Sequence, residues 1–293
     1  MLIVVLLLTF VGPYAVLALA RQEAVAPEYA YSESFCTDYE QTRAQLADRV
    51  AALREAGVTV ETSEHAIDAD DGLYIDNIYL PATEKNTNLI VLTTGVHGME
   101  GYIGSVMLEV FFEEIYPELN REDTGVLVVA NVNPYGMKNY RRYNENNVDL
   151  NRNFIIDWEN FDLSSNKEYP KVDKFLGPEG KIGNALWHEA GFYLSLGKTA
   201  ITDGAGTISD ALLTGQYEYP QGVYYGGNGD EASTVYLNSF LKGYSVSSLI
   251  YTPSALSSDG TGIALITLSF GTIEVKSSSP CRTKPIDATE PAV

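Results

Sequence analysis

Basic residues are scarce in this chain of 293: 19 lysines and arginines stand against 39 aspartates and glutamates, giving a formal charge of -20 and an isoelectric point near 4.4. Gripping nucleic acid needs a basic surface for the phosphates, so nucleic acid is excluded as a partner, and the acidity mainly serves solubility. Histidine is scarcer still. There are three, His65, His97 and His188, and no His-Glu-x-x-His motif, so a helix-borne metalloprotease site has nothing to carry it. Two cysteines, Cys36 and Cys281, allow at most one bridge, which in an oxidising compartment would tie the two ends of the domain together. No Asn-x-Ser/Thr sequon occurs, so glycosylation gives no sign of secretion.

What the chain does have is a 45% hydrophobic content over a length that suits one large α/β domain. Residues 1–20 form a separate unit. Leu2 to Val11 is apolar and Ala18-Leu-Ala20 offers small residues for cleavage, the pattern of a secretory signal peptide. The expected location is therefore secreted, lumenal or periplasmic, with a mature domain over 21–293 and no stable membrane partner. No Lys or Arg precedes the apolar core and Gly12-Pro13 interrupts it, which leaves an uncleaved membrane anchor over residues 2–20 as the alternative.

Apolar spacing predicts an amphipathic helix over 34–57, then strands at 58–60, 72–80, 89–94 and 126–131, with a helix at 103–115 between the last two. A strand, a helix and a strand in that order favour parallel pairing, with ligands gathered at the carboxyl ends of the strands. Residues 154–183 read as a long loop, followed by helices at 184–196 and 207–213 and a tyrosine- and glycine-rich stretch to Gly227. Tyr217, Tyr224 and Tyr225 either line a groove there or pack half-buried.

Two motifs carry chemistry. The first is Leu-Thr-Thr-Gly-Val-His97-Gly-Met-Glu100-Gly, where a buried strand runs into a glycine-rich loop and presents an imidazole and a carboxylate, donors that suit Zn²⁺. The second, after another apolar run, is Asn133-Pro-Tyr-Gly followed by Arg141-Arg142 and Asp149-Leu-Asn151-Arg152-Asn153-Phe154. A planar, always charged guanidinium matches a carboxylate bidentately and a neighbouring amide adds a donor, so Asn151 and Arg152 form a reasonable carboxylate clamp. Arg141 and Arg142 either serve the same site or lie as solvated charges beside Glu145 and Asp149.

Taken together, in this order and separation, the motifs resemble the zinc carboxypeptidase (carboxypeptidase A-like) family, closely from Asn88 to Phe154 and loosely on to Gly227. The resemblance implies a mixed, largely parallel α/β sheet with helices on both faces. It also implies one zinc ion held in part by His97 and Glu100, Arg142 stabilising the developing oxyanion, and Asn151 with Arg152 fixing the substrate carboxylate. The family also needs a third ligand, a later histidine, and a glutamate base. His65 and His188 read better as surface or helix-packing residues, and Glu274 is the nameable candidate for the base. After about residue 245 the sequence departs from the family, so the fold is expected to be incomplete at its C-terminus. Synonymous codons let Ser248-Leu-Ile-Tyr-Thr-Pro253 be written so that the neighbouring frame reads Ile-Asp-Leu-His-Thr, the strand that carries the third ligand in related proteins, which makes 245–293 divergent or out of frame. The implied activity is zinc-dependent hydrolysis, removing a C-terminal residue from a peptide or an acyl group from an amino acid, with a free carboxylate on the substrate. The alternative is a carboxylate-binding pseudoenzyme that lacks the third ligand.

Overall fold

The computed structural model describes residues 31–177, 183, 185–243, 262–268 and 276–277. The chain divides into two units, Met1–Phe35 and Cys36–Val293. Of the first, one 3-10 turn at Ser32–Ser34 is described. The signal-peptide segment 1–20, Glu274 and Cys281 lie outside the described residues.

Helix α1, Tyr39–Glu55, opens the second unit. Asp38 caps it by accepting from the Gln41 amide at 2.8 Å, which satisfies one of the first-turn donors. Its inward face buries Leu46, Val50 and Leu53. The next element corrects the sequence reading. Val58 and Val60 pack against the core, but the strand β1 is Glu61–Asp68, a largely exposed Glu-Thr-Ser-Glu-His-Ala-Ile-Asp run. Among the described residues it pairs only with β2, Leu73–Leu80, and an edge strand facing water has no need of the apolar alternation that would announce it.

The central strands are β3, Asn88–Thr94, and β4, Thr124–Ala130, joined through α2, Gly101–Val110, which runs on into a π turn at Phe111–Ile115. β3 lies parallel to β4 and, on its other side, to β5, Gly262–Leu268. Antiparallel pairings close both margins, β2 with β4 and β5 with β6, Lys276–Ser277, in the order β1-β2-β4-β3-β5-β6. The sheet is thus mixed with a parallel centre, as the strand-helix-strand pattern implied.

Alternation along β4 sends Val126, Val128 and Ala130 to one face, where α1, α2 and the π turn cover them with Leu46, Val50, Leu108 and Phe111. Leu127 and Val129 point to the other face, against Leu237 and Leu241 of a helix at Ala232–Lys242. Helices therefore cover both faces, which is why β4 reads as a continuous apolar run. Between these lie a short helix α3, Pro134–Lys138, and the 3-10 turns Leu150–Arg152 and Tyr169–Lys171. Next come α4, Asp173–Leu176, α5, Ala185–Thr202, and α6, Ala205–Leu213, with Ala232–Lys242 as α7. Among the described residues no helix is long and apolar enough to cross a membrane.

Candidate active site

β3 and β4 end side by side, and the loops that leave them stay paired: Val132 N–H donates to Thr94 O at 3.0 Å and Asn133 N–H to Gly95 O at 2.7 Å. The His97 loop is then pressed against the second motif. Gly98 N–H donates to Arg142 O and Met99 N–H to Arg141 O, both at 3.2 Å. A Cβ on Gly98 would stand 2.1 Å from the Gly136 carbonyl carbon, so only glycine admits this approach.

Asn133-Pro-Tyr-Gly136 has a defined job in this packing. The buried Asn133 side chain caps α3 by accepting from Gly136 N–H at 2.8 Å, while its amide donates to Arg142 O at 3.2 Å. The asparagines that follow turn the chain back. Asn144 Oδ1 accepts from Asn146 and Val148 amides, and Asn147 adopts a positive φ of 59°. Asp149 is thereby returned to Arg142.

Four charged or ionisable groups converge there. Glu100 Oε2 lies 3.0 Å from His97 Nδ1, and Asp149 Oδ1 lies 3.0 Å from His97 Nε2. Arg142 spans them, with Nε donating to Asp149 Oδ2 at 3.2 Å, Nη1 to Glu100 Oε1 at 3.0 Å, and Nη2 lying 2.9 Å from His97 Nε2. Arg142 is thus tied into the cluster rather than solvated, whereas Arg141 turns away to Asn147 Oδ1 at 2.9 Å. Asp149 is fully buried and His97 nearly so.

Burial opposes charge on His97, but its hydrogen bonds to Asp149 and Glu100 outweigh it and hold the imidazole above its ordinary value. Burial likewise opposes ionisation of Asp149, yet the His97 contact and the Arg142 and Arg152 charges keep it below the usual carboxylate range. Glu100 is lowered chiefly by the hydrogen bond to His97, against its desolvation.

Asn151 and Arg152 sit beside this cluster on the Leu150–Arg152 turn, which Asp149 caps by accepting from Asn151 N–H at 3.1 Å. The Asn151 side chain is exposed. Arg152 is partly buried, donates from Nη1 to Asn151 O at 3.3 Å, and has a buried Nε without a partner. His97, Glu100, Arg142, Asn151 and Arg152 are therefore neighbours. His65 and His188 do not join them: His65 stacks on Tyr236 at 3.8 Å and His188 is exposed on α5.

The sequence did not assign Asp149 a role, and it offered Tyr224 as a groove or packing residue without its contact to Arg142. Asp149 braces the imidazole, a role signalled only by its place at the head of the Asp-Leu-Asn-Arg segment. The Tyr224 ring lies 5.5 Å from the Arg142 guanidinium, at a positive φ of 58° that a non-glycine residue adopts only when its surroundings enforce it. No local pattern foretells that contact.

The donors present fit a zinc ion in part. His97 Nδ1 and a Glu100 oxygen lie side by side, and the other ring nitrogen rests on a buried carboxylate, the outer support that metal-bound histidines typically have. Among the described residues no group of three His, Cys, Asp or Glu could hold a metal, so beside His97 and Glu100 no third donor of these types is found there.

The fold and this cluster define an open-sheet α/β protein with its polar site at the carboxyl ends of parallel strands. The family model described as "Protein of unknown function (DUF2817)" matches residues 35–256, well over half the chain, and the chain belongs to that family. β5 and β6 lie beyond the matched residues. No curated protein matches the chain. Among solved structures, similarity is found to a protein named "putative metallopeptidase" of Shewanella amazonensis SB2B, at 24% identity over 41% of this chain and 42% of that one, with a TM-score of 0.31. Similarity is also found to carboxypeptidase A of Helicoverpa armigera, at 18% identity over 50% of this chain and 41% of that one, with a TM-score of 0.30. The chain spans less than half the length of either.

Proposed function

We propose that this protein is a zinc-dependent hydrolase of the metallocarboxypeptidase type, acting on a peptide or an N-acyl amino acid with a free carboxylate. The observation that carries the reading is the His97–Glu100 pair, with Nδ1 and Oε2 3.0 Å apart and His97 braced from behind by Asp149. Zinc, when bound, supplies Lewis acidity at the scissile carbonyl. His97 and Glu100 would hold it. Asp149 fixes the orientation of the imidazole from its Nε2 side, which leaves Nδ1, beside Glu100, as the donor atom. Arg142 is a fixed cation beside those ligands, placed to stabilise negative charge developing on a carbonyl oxygen, a contribution of ~3–4 kcal/mol for such a group. Asn151 and Arg152, on the adjoining turn, would receive the substrate carboxylate. Glu274 remains the proposed base, and the neighbouring reading frame the proposed source of a third histidine.

A second reading, a carboxylate-binding pseudoenzyme, draws on a specific observation. Arg142 engages Glu100 and contacts His97, and no third ligand is found among the described residues. Zinc content per purified chain separates the two. After dialysis against a weak chelator, about one zinc that disappears in His97→Ala supports the hydrolase, and hydrolysis of acylated amino acids or short peptides should then be metal-dependent. Wild-type protein that retains none favours the pseudoenzyme.

A further inference from the structure

Of the two residues proposed for the carboxylate clamp, Arg152 is held in place from far away in the sequence. Arg152 lies against Gly215, a residue in the left-handed region at φ +72°, and a Cβ there would stand 2.6 Å from Arg152 Cδ and 2.9 Å from Cγ. Those atoms are the middle of the side chain rather than its free end, so any larger residue at 215 would displace the guanidinium instead of brushing its tip. Two residues on, the Tyr217 hydroxyl donates to Arg152 O at 2.9 Å, pinning the backbone from which that side chain springs.

Tyr217 is itself immobilised. It is buried, with Phe161 edge-on at 4.7 Å and Trp158 at 6.1 Å between ring centroids. The segment between Gly215 and Tyr217 is locked by Gln216, which is almost wholly buried. Its Oε1 accepts from the amides of Glu218 and Tyr219, and its Nε2 donates to Tyr219 O and Val223 O. A rigid platform under the stem and main chain of the partly buried Arg152 restricts where its guanidinium can point.

We propose that Gly215 and Tyr217 are positioning residues for Arg152, so that preference for a ligand with a free carboxylate depends on the 215–217 segment. The inference rests on the reading of Arg152 as the carboxylate clamp. Neither residue need touch the ligand: Gly215 leaves the space the stem occupies, and Tyr217 holds the carbonyl.

The test is calorimetric titration of the full chain with N-acetyl-L-phenylalanine and, separately, with its C-terminal amide, for wild type, Arg152→Ala, Arg152→Lys, Gly215→Ala and Tyr217→Phe, each checked by thermal melting. Wild type should bind the acid more tightly by ~10-fold or more, the scale of one charge-assisted hydrogen bond. Arg152→Ala should erase that preference, and Arg152→Lys should restore only part of it. Gly215→Ala should lose most of the preference while affinity for the amide is unchanged. Tyr217→Phe, which removes one hydroxyl and keeps the ring packing, should lose a smaller part and decides the matter if Gly215→Ala does not fold. Wild-type discrimination in folded Gly215→Ala and in Tyr217→Phe, alongside its loss in Arg152→Ala, overturns the positioning role and leaves the clamp intact. Equal discrimination in wild type and Arg152→Ala overturns the clamp itself.

Discussion

His97 Nε2 lies 3.0 Å from Asp149 Oδ1, and this contact joins the end of β3 to a turn more than fifty residues later. It separates the two nitrogens of one ring into a supported side and a working side.

If His97 holds zinc as proposed, Asp149→Asn should weaken zinc binding without removing a proposed ligand. Loss of an outer-shell carboxylate typically costs ~10–100-fold in metal affinity. Replacement by alanine should in addition destabilise the fold by about 3–5 kcal/mol, because Arg142 and His97 would be left without their buried counter-charge. Competition against a chromophoric chelator measures the first effect and urea unfolding the second.

Gly98→Ala should be among the most damaging single-methyl changes in the chain. The new carbon would meet the Gly136 backbone, which cannot swing aside as a side-chain tip would. Overpacking of this kind costs about 1–3 kcal/mol or more, and thermal melting should register it even in metal-free protein.

Arg142→Lys should behave almost like Arg142→Ala. The guanidinium reaches Asp149, Glu100 and His97 with three different nitrogens, a pattern a single ammonium cannot reproduce. If the protein hydrolyses its substrate, kcat should fall by ~100–1,000-fold in both variants. A lysine variant close to wild type would show that point charge alone suffices.

Alkaline pH should unfold the protein in step with ionisation of Tyr39. Burial pushes its phenol from an ordinary value of 10.0 up to about 12, against the hydrogen bond from the Tyr74 N–H that partly offsets it. The hydroxyl donates to Tyr74 O and accepts from Tyr74 N–H, each at 2.8 Å, so the ionised form loses a donor inside the fold. With the folded value above the unfolded one, this contribution is complete below pH 10.0 and is lost as pH rises through about 12. Tyr102 and Tyr169 shift in the same direction through burial. Tyrosinate absorbance and circular dichroism should change together; titration at the ordinary phenol value with the fold intact would contradict this.

Much of the site was legible because its geometry follows from local rules. A strand covered on both faces must be apolar, the loop after it must turn sharply, and His97 and Glu100 fall where such a loop presents side chains. The same holds for Arg142, Asn151 and Arg152, which a capped helix and an asparagine turn fix by short-range hydrogen bonds. β1 was illegible because its one neighbour and wet outer face demand little of its sequence. The second role of Asp149, the ring of Tyr224 over Arg142 and the support of Arg152 by Gly215 depend on contacts between distant segments, which no local spacing encodes.

The parallel pairing of β3 with β5 sets an order of events during synthesis. Among the described residues the other pairing of β3 is available once β4 has left the ribosome, yet this one waits for residues 262–268, well over a hundred residues after Ala130. Until then the strand that ends at the His97 loop keeps one side open, with backbone donors and acceptors waiting for a partner. A nascent chain in that state is a natural client for chaperones, and its yield should rise when translation is slow or chaperones are abundant.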